Sequence, residues 1–285
     1  MRNIRKAFAA MAAAAALTLT ACGGGGGGDD AGGGGGGGGE GSSDSIRIGI
    51  KFDQPGLGLK EGDKFTGFDV DVAKYVANEL GYSEDQIEWV STPSATRETQ
   101  LSNGQVDMIF ATYSITDERK QQVAFAGPYF VAGQDLLVPV DSDVQGPEDL
   151  DGLNLCSVTG STSAQTVKDE FAAGVNLLEQ PGYAECVSAM QGGNIDAVTT
   201  DDIILAGLAA DPAYEGDFKV VGNTFSEERY GVGLPQDNDI CEDVNAAITK
   251  MIDDGSWQKF LDSNLEGIDF EPNAEKNPPE PDACA

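Results

Sequence analysis

Leu101-Ser-Asn-Gly104-Gln-Val-Asp107-Met-Ile-Phe-Ala-Thr112-Tyr-Ser114-Ile-Thr116-Asp-Glu-Arg119 is the stretch from which the plan of the chain is read. Met108, Ile109 and Phe110 follow a Gly104 turn and read as a short buried strand. Thr112, Ser114 and Thr116 come next, then an acidic helix opening that carries Arg119. Ligands bind at strand ends in open α/β sheets. Hydroxyls beside a guanidinium suit a carboxylate, because the planar Arg fork meets both oxygens. The plainer role for Arg119 is a surface ion pair with Asp117 or Glu118, worth little. The plan recurs in Met190-Gln-Gly-Gly193-Asn-Ile-Asp196-Ala-Val-Thr-Thr-Asp201. In that register Gly104 matches Gly193, Asp107 matches Asp196, and Thr112 matches Asp201. Two similar α/β lobes whose strand tips face one cleft are the expected result.

A chain of 285 residues with 40% hydrophobic content is long enough for one large core or two smaller ones. It holds 17 basic and 48 acidic residues, a formal charge of −31. Such a surface repels nucleic acid and anionic lipid headgroups. There is no histidine, which removes the commonest general base and transition-metal ligand. The run 141–146 opens like a calcium loop, but position twelve would be Gly152, which has no side-chain ligand. No metal or cofactor is expected.

Residues 1–6 are basic and 7–19 apolar, a run too short to span a membrane, so 1–21 reads as a secretory signal peptide. Leu19-Thr-Ala-Cys22 matches a bacterial lipobox, which makes Cys22 the diacylated mature N-terminus. Removal of Arg2, Arg5 and Lys6 with the leader leaves 14 basic residues against 48 acidic ones. Two acyl chains hold a protein firmly at a membrane face. The Gly-rich linker over 22–43 would then tether a globular body at roughly 25 Å.

Beyond the linker, strands are expected at 46–51, 87–90, 153–157, 176–179, 197–200 and 218–221. Helices are expected at 69–80, 96–103, 164–171, 183–190, 241–254 and 257–265. The stretch 52–58 reads as a loop, 136–140 as the crossover into the second lobe, and 230–235 as the return strand. The acidic, Pro-rich tail after Phe270 reads as extended over the surface. Glu185 and Glu228, the carboxylates one would nominate for acid–base chemistry, look like ordinary surface residues.

Gly67-Phe-Asp-Val-Asp-Val-Ala73, Asn103-Gly-Gln-Val-Asp107, Ser114-Ile-Thr-Asp-Glu-Arg119, Phe125-Ala-Gly-Pro-Tyr129 and Asn194-Ile-Asp-Ala-Val198 occur in order. Over roughly residues 45 to 270 the chain resembles the polar amino-acid solute-binding proteins of ABC importers, bacterial solute-binding family 3. Within that family it is similar to glutamate/aspartate-binding lipoproteins of Gram-positive cells. The resemblance implies an α/β, two-lobe periplasmic-binding-protein-like fold (type II) with two hinge crossovers and a ligand cleft between lobes. Lobe 1 would comprise 44–134 and the return segment 229–285, with 135–228 as lobe 2. It also implies a monomeric, extracellular, lipid-anchored protein, touching the membrane only through its anchor and the permease subunits it serves. An enzyme on the same scaffold, dehydratase-like, is the distant alternative. A sensor would need a fused transmembrane and signalling region and is not expected.

By motif, the resemblance gives the ligand α-carboxylate to Arg119, the Ser114 hydroxyl and the Thr162 backbone N–H. Asp201 would accept the ammonium beside the Thr112 carbonyl. Lys51 at a strand end and Arg97 at a helix start add two cations. A neutral zwitterion would leave these unpaired, which is costly in a desolvated site, so an acidic amino acid is the expected ligand. If instead Lys51 and Arg97 are surface residues paired with Asp53 and Glu98, glutamine or another polar neutral amino acid is the alternative. The four cysteines left once Cys22 is lipidated allow three pairings. Pairing within each lobe leaves the hinge free, so Cys156–Cys186 and Cys241–Cys284 are expected, with free buried thiols as the alternative.

Overall fold

The computed structural model describes residues 45–171 and 174–284; the 1–21 leader, Cys22 and the linker over 22–43 fall outside the described residues. Ile46, Ile48 and Ile50 are buried on β1 (Ile46–Ile50), around which the first sheet forms. A small ribbon follows: β2 (Asp53–Gln54), β3 (Gly58–Glu61) and β4 (Lys64–Thr66). Helix α1 (Phe68–Glu79) buries Phe68, Val72, Ala73 and Val76 at helical spacing. Then come β5 (Ile87–Ser91), α2 (Arg97–Ser102), β6 (Met108–Ile109) and the fully buried β7 (Ala124–Ala132).

The second lobe runs through β8 (Gln134–Pro139), β9 (Asn154–Val158), α3 (Thr162–Thr166), β10 (Asn176–Gln180), α4 (Tyr183–Gln191), β11 (Ala197–Asp201), α5 (Asp202–Ala209) and β12 (Phe218–Val220). The chain returns through β13 (Glu228–Leu234), α6 (Cys241–Asp253) and α7 (Ser256–Asn264). The first sheet has the order β5-β1-β6-β13-β7 and the second β10-β9-β11-β8-β12. In each, three parallel strands are followed by one antiparallel to them, and the last strand is antiparallel to that one.

The repeat seen in the sequence has one physical cause in both lobes. Gly104 and Gly193 turn with φ of 62° and 72°, conformations that glycine adopts without a steric penalty. The next Asp in each unit clamps the start of the neighbouring parallel strand. The Asp107 carboxylate accepts the Arg47 N–H at 2.8 Å, and the Asp196 carboxylate accepts the Asn154 N–H at 2.8 Å. Each Asp returns its own N–H to the carbonyl of that same partner. Five residues later each unit delivers a polar tip, Thr112 after β6 and Asp201 at the end of β11.

Several sequence expectations change. The loop expected over 52–58 contains β2 and the start of β3, strands too short to show alternation. The run 136–140 is not a crossover but the body of β8 within the second sheet; the chain changes sheets at Gly133, between β7 and β8. Arg119 sits in a single 3-10 turn, Arg119–Gln121, rather than opening a helix. The helix expected at 164–171 starts at Thr162, capped by the Ser161 side chain on the Ala164 N–H, and becomes π-helical over Val167–Phe171. Helix α5 has no counterpart in the sequence reading. Ile203 to Leu208 are all buried, and a helix buried on every side carries no amphipathic period.

Both expected disulfides are present. Cys156–Cys186 joins β9 to α4, and Cys241–Cys284 joins α6 to the tail, with Cα separations of 5.6 and 6.1 Å. The tail follows the outer edge of β7. The Asn277 side chain donates to the Val131 carbonyl and accepts its N–H, and the Asp282 N–H donates to Gly127. An edge strand that would otherwise offer unpaired backbone groups is thereby covered.

Candidate functional site

Strand tips and helix starts from both lobes converge on one buried polar cluster. Lys51, just past β1, is 3% exposed, and its ammonium lies 5.7 Å from the Tyr183 ring centroid. Burial lowers its pKa to about 8, against the opposing pull of Asp53. Arg97, the first residue of α2, is 2% exposed. Its Nη1 donates to the Ala111 carbonyl at 2.8 Å, and its guanidinium stands 4.1 Å from the centre of the Tyr113 ring. Burial, and then the like charge of Arg119, lowers its pKa to about 10.

Arg119 is held from three sides. Nη1 donates to the Ser114 carbonyl at 2.8 Å, Nη2 to the Gly160 carbonyl of the second lobe at 3.1 Å, and Nε pairs with Glu98 at 3.4 Å. Asp117 and Glu118, its neighbours in sequence, are not its ion-pair partners. The Ser114 hydroxyl lies 3.4 Å from that of Thr162, which donates to Glu228 at 3.0 Å. Asp201 accepts the Tyr230 hydroxyl at 2.6 Å on Oδ2, while its buried Oδ1 has no partner among the described residues. Burial, then the nearby Glu228, pushes the Asp201 carboxyl well above the ordinary range, and Tyr230 pulls it back. Thr112 lies at φ 46° with its N–H on Asp69.

All seven sequence-nominated residues therefore lie in this cluster, six of them buried and Thr162 half-buried. Lys51, Arg97 and Arg119 are the only buried basic side chains among the described residues. Neither Lys51 nor Arg97 is a surface residue paired with Asp53 or Glu98, and neither makes an ion pair among the described residues. Glu228 corrects the sequence reading too: it is 5% exposed, with its two oxygens accepting from Thr162 and Ser226. Glu185 is exposed.

Sequence reasoning missed Tyr113, Glu98, Asp69, Tyr183 and Tyr230. Tyr113 is fully buried, contacts both guanidiniums and donates to Glu98, which is also the carboxylate paired with Arg119. The one available signal was its place between the polar Thr112 and Ser114, where an inward aromatic interrupts the polar run. A cleft of about 470 Å³ opens beside Arg119, Gly160, Thr162 and Glu228, and one of about 240 Å³ beside Lys51, Asp53 and Glu185. Among the described residues no group of three or more His, Cys, Asp or Glu is placed to hold a metal. No described helix is long and apolar enough to cross a membrane. Lys51, Arg97 and Arg119 share the cluster with the buried carboxyls of Asp69, Asp201 and Glu228, and a ligand carboxylate could pair a buried cation there.

Buried carboxyls also set a pH dependence. Burial raises Asp69 and Asp202 to about 6 each, and lifts Asp135 and Asp201 as well. Between about pH 6 and pH 4 the native chain thus takes up protons that the unfolded chain does not, so stability falls as pH rises through that window. Without added ligand, the thermal midpoint is expected to be higher at pH 5 than at pH 7 by roughly 5 °C. A midpoint at pH 5 equal to or below that at pH 7 contradicts this.

A sequence profile of bacterial extracellular solute-binding proteins, family 3, matches residues 46–266. The chain is 50% identical over 234 residues to the glutamate-binding protein GluB of Corynebacterium efficiens, covering 78% of this chain and 79% of that one. It is 43% identical over 190 residues to a glutamine-binding protein of Geobacillus stearothermophilus, covering 65% and 71%. Among solved structures, an ancestral arginine-binding protein bound to glutamine superposes with a TM-score of 0.72 at 34% identity. That match covers 79% of this chain and 99% of that one.

Proposed function

Because the chain belongs to the bacterial extracellular solute-binding proteins of family 3, we propose that it captures an acidic amino acid, L-glutamate or L-aspartate, for an ABC importer. One observation carries the choice of an acidic amino acid. Lys51 and Arg97 are buried cations without ion-pair partners among the described residues, in the same cluster as Arg119 and Asp201. Arg119, the Ser114 hydroxyl and the Thr162 N–H take the α-carboxylate in this reading. Asp201 and the Thr112 carbonyl take the ammonium, and Lys51 with Arg97 takes the side-chain carboxylate. Glu228 braces Thr162. The relative named as glutamate-binding is also the more similar of the two reported.

The protein works by binding and release, without chemical conversion, as a monomer. Lipidation at Cys22 would hold it on the outer face of the cytoplasmic membrane beside the permease subunits. Calorimetry against the twenty amino acids tests the reading. Glutamate is expected at micromolar affinity or tighter, about −8 kcal/mol or better. Glutamine binding as tight as glutamate overturns it, and any new product seen by mass spectrometry after incubation overturns the non-enzymatic role.

Binding in this reading requires the lobes to meet, and a glycine permits their approach. A Cβ on Gly207 of α5 would stand 2.3 Å from the Pro55 carbonyl oxygen of the first lobe. Gly207→Ala removes that approach while improving helix propensity within the second lobe. Glutamate affinity is expected to fall at least ~10-fold with an unchanged ligand-free thermal midpoint, read by calorimetry and thermal unfolding. Wild-type affinity in this variant refutes the role.

A further inference from the structure

Asp69 is fully buried on the first turn of α1, and both of its carboxylate oxygens are used. One accepts the Thr112 N–H at 2.9 Å and the other accepts the Tyr129 hydroxyl at 2.8 Å. Thr112 is the only described non-glycine residue at positive φ, and it is β-branched, the side-chain class least suited to that conformation. Its hydroxyl is also tied down, donating to the Ala111 carbonyl at 2.7 Å and lying 3.3 Å from the Gln54 side-chain amide. A strained backbone persists only where its surroundings over-determine it.

The carbonyls around Thr112 show what the strain achieves. Ala111 is bonded by Arg97 Nη1, Tyr113 by the Gly231 N–H and Ser114 by Arg119 Nη1. Among the described residues no donor reaches the Thr112 carbonyl. Of these four consecutive acceptors, one is kept open.

We propose that Asp69 is a positioning residue for ligand recognition: its carboxylate locks Thr112 in the left-handed backbone that keeps the Thr112 carbonyl open for the ligand ammonium. This rests on the proposed role of Thr112 in the amino-acid site. Burial disfavours the Asp69 charge, so the carboxylate depends on its two hydrogen bonds, which join Thr112 to the Tyr129 hydroxyl.

The test is a set of variants measured for glutamate affinity by calorimetry, with folding checked by circular dichroism and thermal unfolding. Asp69→Ala is expected to weaken binding at least ~30-fold, in line with losing a hydrogen bond to a charged group. Asp69→Asn retains an oxygen for the Thr112 N–H and an N–H for the Tyr129 oxygen, and is expected to stay within ~5-fold of wild type. Glycine adopts positive φ freely, so Thr112→Gly in the Asp69→Ala background is expected to restore at least ~10-fold of the loss. Should Asp69→Ala not fold, Asp69→Ser, whose hydroxyl is too short to reach the Thr112 amide, carries the same expectation. Undiminished binding by the alanine variant, equal loss in Asp69→Asn and Asp69→Ala, or no rescue by Thr112→Gly overturns this inference alone. Wild-type protein that binds none of the twenty amino acids overturns the parent reading, and this one with it.

Discussion

Arg119→Ala is expected to lower glutamate affinity by about 3 kcal/mol, roughly 150-fold. Arg119 is 7% exposed, and its guanidinium spans the lobes, bonding the Ser114 carbonyl on one side and the Gly160 carbonyl on the other. Without it a buried ligand carboxylate loses its charged partner, and leaving one ion of a buried pair alone is the expensive outcome. Arg119→Lys keeps the charge but not the planar fork, so a loss of ~10-fold or more is expected even there. Calorimetry reads both, beside thermal unfolding of the ligand-free variants. Affinity within a few-fold of wild type in Arg119→Ala removes Arg119 from the site.

Arg97→Ala is expected to change what is bound rather than whether anything is bound. Wild-type protein should favour glutamate over glutamine by at least ~100-fold, the scale seen when a buried polar group is denied its partner. Among the described residues Arg97 has one hydrogen bond, to Ala111, and its buried Nε has no partner. Its guanidinium rests against Tyr113, and its pKa is already lowered to about 10 by burial. A ligand side-chain carboxylate would pair that charge, whereas a carboxamide would leave it stranded. In Arg97→Ala the preference should shrink to within ~5-fold while the α-amino and α-carboxyl contacts remain. Wild-type protein that binds glutamine as tightly as glutamate would place Arg97 out of reach of the ligand side chain.

Much of this was legible locally. The Gly104/Asp107 and Gly193/Asp196 spacing announces two equivalent units because a turn and a strand clamp each need a fixed residue type at a fixed offset. The amphipathic spacing of Phe68 to Ala77 announces α1, since one face meets the core and the other meets water. Asp201 sits at a strand tip marked by those signals, whereas the roles of Arg119 and Ser114 came from the resemblance of Ser114-Ile-Thr-Asp-Glu-Arg119 to the family motif. Pairing the cysteines needed only the assignment of residues to lobes.

Other features have no signal within a window of sequence. Glu228 looks like a surface carboxylate beside Glu227 and Arg229, yet it is buried against Thr162, 66 residues away. Asp69 reads as an ordinary acidic first turn of a helix, and only packing puts it under Thr112, 43 residues on. Tyr113 reads as one more core aromatic, but it contacts Arg97 and Arg119, and Glu98 joins it to the second of these. Periodicity records which face of an element is dry, because burial acts on each residue through its immediate neighbours. Which polar groups share a dry site depends on where separate elements end in space, and that is decided when the two sheets and their crossovers pack.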